Sequence, residues 1–435
     1  MSGAPDGHST RARGLRLGVA ALLGLALGVG ATLALQRPPA RPGAGPAERP
    51  GVAPAAPGAT SGDGAGRPAT LPTRPAAAPA DRVLLAWTPG RLPARLAGRL
   101  RGAPGVRAVT VVKGGRLDLA GSTDADGHAV DRPPRGMTVP LEAIAFDPST
   151  YAGFLPASAR AAFRRLGPTE ALLGATSARL RRLGPGGRLH LAEGGGAPPG
   201  GRWLTVAGVV DDALVGAAEV AVGRAGGRAV GVTRDRYALL AYRGGRAAVA
   251  QAVRRALPAA LPVRLRGPGE TPFFRAGDAV LPQVMVKERF GEFAWRPLGG
   301  GDFLQDPAWQ AASLATVQVP ILGRLRCNRV LLPALEGAMR DLQQRNLAGL
   351  VDRAGFAGCW NSRLTRSGSG VSRHAWGAAV DLNVAGNPTG LASAQDPRLI
   401  EVMERWGFTW GGSWLVPDPA HFEYLSPPGR TGARP

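Results

Sequence analysis

Ser372-Arg373-His374-Ala375-Trp376-Gly377-Ala378-Ala379-Val380-Asp381-Leu382-Asn383 is the stretch on which the fold and the chemistry of this chain turn. Val380-Asp381-Leu382 alternates apolar and polar residues as a strand does. A Ser/Gly-rich turn separates this stretch from Gly358-Cys359-Trp360-Asn361-Ser362-Arg363 before it. Further along come Arg405-Trp406-Gly407-Phe408-Thr409-Trp410-Gly411-Gly412-Ser413-Trp414 and Asp418-Pro419-Ala420-His421-Phe422-Glu423-Tyr424. His421 leads the same kind of alternation through Phe422 and Tyr424, so Asp381 and His421 are expected on neighbouring strands of one sheet.

His374, Asp381 and His421 together supply two imidazoles and a carboxylate, a ligand set suited to Zn2+. Three protein ligands leave the fourth tetrahedral position open, which is the arrangement of a catalytic rather than a structural zinc. The small residues Gly377, Ala378 and Ala379 would let the connection approach the metal closely. Hydrolysis at such a site also needs a carboxylate that is not a ligand, to take a proton from water and pass it to the leaving amine. Asp418 is the candidate, with Glu423 as its rival. Arg363 can bind a substrate carboxylate or a developing oxyanion through its planar pair of donors. Ser372 either caps the turn before the ligand strand or touches substrate. Trp376, Trp410 and Trp414 supply either a substrate platform, Trp410 foremost, or core.

Ser372-x-His374-x-x-Gly377-x-Ala379-x-Asp381 with Asp418-x-x-His421 resembles the zinc D-alanyl-D-alanine carboxypeptidase family, which includes VanY- and VanX-type enzymes and phage endolysin peptidases. The resemblance implies zinc ligation by His374, Asp381 and His421, a general base at Asp418, and a substrate or transition-state role for Arg363. It implies peptidoglycan stem peptides as substrate. Many carboxypeptidase members have Glu at the base position, so Asp418 is closer to the endolysin branch, and carboxypeptidase and endopeptidase both stay open. The alternative is a non-catalytic cell-wall-binding or membrane-complex accessory protein with a structural zinc.

Working outward, Leu331, Leu335, Met339 and Leu342 fall at helical spacing and predict an amphipathic helix over Leu331–Leu347 that packs on the core of this domain. The domain is expected over 320–426 with a central antiparallel sheet, after a connector at 291–319 and before a tail at 427–435. Residues 82–290 read as an α+β spacer or partner-binding domain. Val83–Trp87, Leu92–Leu100 and Val106–Val112 give strand, helix, strand, and Tyr237–Tyr242, Arg246–Leu257 and Pro262–Arg266 repeat it. Two such βαβ halves of ferredoxin-like type flank an insertion. Within the insertion, Ser177–Leu183, the turn Gly184-Pro185-Gly186-Gly187 and Leu204–Val210 resemble the extracytoplasmic domain of MacB- and FtsX-like permeases. That resemblance implies a membrane-protein partner. His128 and His190 read as lone histidines in solvated loops.

Leu17 to Leu35 is a run of small and apolar residues flanked by Arg11, Arg13 and Arg16, long enough for a single membrane anchor with residues 1–16 in the cytoplasm. A cleaved signal peptide ending near Thr32-Leu33-Ala34 is the other reading, and both export the rest. Residues 36–81, rich in Pro, Ala and Gly, form a linker without a core. The net charge of +22 comes with arginines scattered over every segment, with no basic helix or base-stacking aromatic set, which excludes nucleic acid and favours an anionic wall or lipid surface. Cys327 and Cys359 are the two cysteines, and outside the cytoplasm they can pair. Such a bond would add about 3–4 kcal/mol by loop closure. Two buried free thiols are the other reading.

Overall fold

The computed structural model describes residues 82–192, 200–271, 273–365 and 370–426. The expected anchor over 17–35, the cytoplasmic tail, the linker and the tail at 427–435 lie outside the described residues. Among the described residues no helix is long and apolar enough to cross a membrane.

The fold is mixed α+β. Strands β1 (Val83–Trp87), β2 (Val106–Thr123), β3 (Val139–Phe146), β4 (Glu170–Gly174), β5 (Arg188–Leu191), β6 (Arg202–Val210), β7 (Val220–Gly223), β8 (Arg234–Tyr242) and β9 (Arg264–Arg266) form one sheet. The run β2-β8-β1-β9 is antiparallel throughout, the order that two interleaved βαβ halves produce. Helices Leu96–Arg101 and Arg246–Ala256 cover one face, where Leu84 and Ala86 of β1 meet Leu96, Leu100, Val249 and Val253. Val83, Leu85 and Trp87 point the other way, against Tyr151, Phe154 and Phe163. Burial on both faces is why β1 is continuously apolar rather than alternating.

Strand β2 runs 18 residues, beyond the end expected at Val112. The Gly114-Gly115 pair reads as a turn in sequence, yet the strand passes straight through it. The second half of β2 joins β3, β7, β4, β6 and β5, which close on one another into a small barrel lined by Leu117, Leu141, Leu173, Leu189, Leu204 and Val220. Closure leaves these strands no free edge.

A separate core runs from Leu281 to Tyr424. It takes in the stretch 291–319 expected as a connector: Phe293 packs on Trp309 and Trp376, with ring centroids 5.0 and 4.9 Å apart. Two short hairpins carry this stretch, β10 (Trp295–Gly299) with β11 (Asp302–Gln305) and β12 (Leu314–Val319) with β13 (Gly323–Asn328). These strands are four to six residues long, and although β11 and β13 alternate buried and exposed positions, runs this short are weak sequence signals. The amphipathic helix spans Leu332–Gln344 and buries Leu335, Met339 and Leu342 as expected. Strands β14 (Ala379–Asp381), β15 (Phe408–Trp410) and β16 (His421–Tyr424) form an antiparallel sheet with β16 in the middle.

The two cores are joined by buried charge. The carboxylate of Glu219 accepts hydrogen bonds from the Glu142 amide (3.0 Å), Gln283 (2.9 Å), Arg181 (3.1 Å) and Lys287 (2.7 Å). Glu292 pairs with both cations, and Lys287 also donates to the Pro140 carbonyl. Gln283 and Lys287 lie on helix Gln283–Phe290 of the second core, Arg181 and Glu219 in the first. Removing one partner strands the others without water. Glu219→Ala should therefore cost about 3–5 kcal/mol in urea unfolding, and a loss below about 1 kcal/mol would contradict this account.

Candidate metal centre

Asp381 and His421 are direct cross-strand partners on β14 and β16. Such pairs project to one face about 5 Å apart. His421 Nδ1 lies 2.8 Å from Asp381 Oδ1. His374 comes from the one-turn helix Arg373–Trp376, which ends at Gly377 in the left-handed conformation. Its Nε2 lies 3.2 Å from both Asp381 Oδ1 and His421 Nδ1. The three ligand atoms form a group that could hold a metal ion. Both imidazoles are buried, and Asp381 is partly open.

The outward ring nitrogens are engaged. His374 Nδ1–H donates to the Cys359 carbonyl at 2.9 Å, which fixes the tautomer and leaves Nε2 as the free lone pair. His421 Nε2 faces Glu423 Oε1 at 3.4 Å. Cys359 is bonded to Cys327 on β13, with the two Cα atoms 5.4 Å apart. The disulfide thus anchors the loop whose carbonyl orients a ligand. Closing 32 residues gives about 3–4 kcal/mol in the chain-entropy model.

Gly377 serves a different purpose from the one expected. A Cβ there would stand 2.6 Å from the Asn328 amide nitrogen, so it allows a sharp turn against β13 rather than an approach to the metal. Ala378 and Ala379 are buried.

A cavity of about 840 Å³ opens beside the group. Asp418 lines it, and its carboxylate accepts a hydrogen bond from Thr389 Oγ1 at 2.9 Å. Arg363 and Ser372 line it as well. Ser372 occupies the cap position of the ligand turn without a side-chain cap bond, which removes the capping reading. Trp410 is not at the cavity: its indole donates to the Pro419 carbonyl at 2.8 Å and it packs on the core. Trp414 stands there instead, its ring 5.3 Å from that of His421. Trp376 is core and donates to the Gly291 carbonyl. Glu423 lines the cavity too, but its carboxylate lies between the outer nitrogen of His421 and Arg373, the position of a group that orients the ring. Of the three tryptophans considered as a platform, the one at the cavity is thus Trp414 and not the favoured Trp410. Sequence reasoning missed Thr389, which lies beyond the ligand strand β14 in a stretch that carries no motif.

Nor is His128 alone. Asp124, Asp126 and His128 also come within metal-ligating reach of one another, in an open turn. His190 stacks on Trp203, with centroids 4.6 Å apart.

Burial disfavours a charged His421, but hydrogen bonds to Asp381 and Glu423 outweigh it and push the ring up to about 10. Burial also opposes a charged Asp381, which the two histidines nonetheless hold well below the usual carboxylate range. Below about pH 10 the metal-free chain therefore keeps a proton on His421 that a metal must displace. Metal uptake at pH 7 should release about one proton, and affinity should rise with pH. Calorimetry in buffers of different ionisation enthalpy measures this, and uptake without proton release would contradict it.

No curated protein matches the chain. Among solved structures, the periplasmic region of MacB from Actinobacillus actinomycetemcomitans is matched at 9% identity over 43% of this chain and 88% of that one, with a TM-score of 0.29. Residues 365–424, which contain His374, Asp381, Asp418 and His421, match the family model described as D-alanyl-D-alanine carboxypeptidase, the family their spacing resembles.

Proposed function

We propose that the second core is a zinc peptidase that cleaves peptidoglycan stem peptides, exported and held at the cell membrane by the segment 17–35. The observation that carries this reading is the convergence of His374 Nε2, Asp381 Oδ1 and His421 Nδ1 beside a cavity that Asp418 also lines. Three ligands on a tetrahedron with metal bonds of about 2.0–2.1 Å stand about 3.3 Å apart. The two separations of 3.2 Å fit that figure, and the third, the 2.8 Å hydrogen bond between His421 and Asp381, opens by about 0.5 Å when a metal replaces the proton. The donor set and the occupied outer nitrogens suit zinc.

Bound there, zinc would polarise a carbonyl and make water acidic near neutral pH. The chain's own groups do the rest. Asp418, oriented by Thr389, takes the proton from the attacking water and returns it to the departing amine. Arg363, whose side chain makes no hydrogen bond or ion pair among the described residues, faces the cavity ready for a carboxylate or for charge growing on the scissile carbonyl oxygen. Trp414 walls the site beside His421. The positive net charge keeps the protein near the anionic wall.

The test is to incubate the zinc-loaded full chain with muropeptides and read the products by mass. Loss of a terminal alanine identifies a carboxypeptidase, and release of a longer peptide identifies an endopeptidase. Asp418→Ala should lower kcat by about 10²–10⁴-fold while zinc stays bound. Unchanged turnover in that variant, or no cleavage by the wild type, would overturn the reading in favour of a structural zinc.

A further inference from the structure

The cavity beside the metal group is not built by one core. The first core contributes a wall that includes Arg234, Arg236 and Arg275. Arg234 and Arg236 lie two apart on β8, where a bulge leaves Arg236 without a partner on β2, and both line the cavity. Arg275 joins them from the segment after β9, giving one N–H to the Ala279 carbonyl and pairing with Glu142 at 3.2 Å. Arg236 gives one N–H to the Gly90 carbonyl at 2.9 Å. Arg234 makes no side-chain hydrogen bond or ion pair among the described residues.

Positive charge exceeds its local compensation here. Burial weakens the charged form of Arg236, and the neighbouring charges of Arg275 and Arg234 act in the same direction, against Glu142 alone. The backbone has made room for this group: a Cβ on Gly114 of the adjacent β2 would come within 3.2–3.3 Å of the Arg236 side chain. A glycine within a strand marks such a close approach. The cluster is also connected to the metal group. Glu142 feels the charge of Arg373, Arg373 approaches Glu423 at 3.8 Å, and Glu423 faces His421.

Guanidiniums lining a cavity with low-dielectric walls concentrate anions, and their paired N–H groups match a carboxylate. The volume suits a short peptide. We infer that Arg234, Arg236 and Arg275 form a subsite for a substrate carboxylate distant from the scissile bond, so that the preferred substrate is a short peptide with at least two carboxylates. The first core is then part of the substrate site. This inference rests on the peptidase reading for the identity of the peptide.

The test uses the full chain carrying Asp418→Ala, loaded with zinc, and two stem pentapeptides, one with free side carboxylates and one with those carboxylates amidated. Calorimetry should show the amidated peptide binding about 10-fold more weakly. Adding Arg234→Gln should weaken the acidic peptide by the same factor and leave the amidated one unchanged. Arg99→Gln, on a helix away from the cavity, should change neither and so excludes a general charge effect. Binding of both peptides within twofold in every variant overturns the subsite. Mass analysis with Asp418 intact separates the two ideas. Arg234-dependent binding without any cleavage leaves the subsite standing and removes the peptidase, whereas equal binding and cleavage of both peptides removes the subsite alone.

Discussion

Everything at the site depends on how the Glu219 carboxylate is satisfied. Four donors from three segments converge on it, and two of the four are charged side chains with no access to water. A buried ionic group need not stabilise a protein more than an apolar core would. It does restrict geometry, because a small rotation of helix Gln283–Phe290 would leave a carboxylate or an ammonium without a partner. Lys287 and Lys113 are the chain's two lysines amid many arginines. A compact ammonium on a flexible stem reaches the Pro140 carbonyl and two carboxylates at once, a task to which a planar guanidinium is poorly shaped.

That junction fixes the metal group from one side and the disulfide fixes it from the other. The Leu281 carbonyl, two residues before Gln283, accepts a hydrogen bond from Arg373, the neighbour of His374. Trp376 at the end of the same turn packs on Phe293 and donates to Gly291. From the opposite direction Cys359, tied to β13, presents the carbonyl that sets the His374 ring. Preorganised outer contacts of this kind decide how tightly and in which geometry a metal is held. Residues of the first core supply the far wall of the cavity.

The ligand set was legible in sequence because its chemistry is local. Asp381 and His421 sit in strand-like alternation, the basis for expecting them on neighbouring strands, and His374 falls within the same short motif as Asp381. The interleaved βαβ halves were legible for the same reason, since Val83–Trp87 is a short continuous apolar run and Arg246–Leu257 carries a helical period. What depended on distant contacts was not. Gly114-Gly115 has the composition of a turn, and only Arg236 lying across the strand explains why it is not one. Trp410 and Trp414 are equivalent in composition, and one hydrogen bond to Pro419 decides which of them leaves the cavity. Arg234, Arg236 and Arg275 could not be singled out among arginines spread over the whole chain.

On the reading proposed above, His374, Asp381 and His421 form an open metal centre at a cavity lined by both cores. Anomalous diffraction at the zinc absorption edge, from crystals of the zinc-loaded protein, tests it most directly. The account predicts one strong peak within bonding distance of His374 Nε2, Asp381 Oδ1 and His421 Nδ1, with a fourth position facing Asp418. A peak at the Asp124, Asp126 and His128 turn alone, or four protein ligands closing the site, would contradict it.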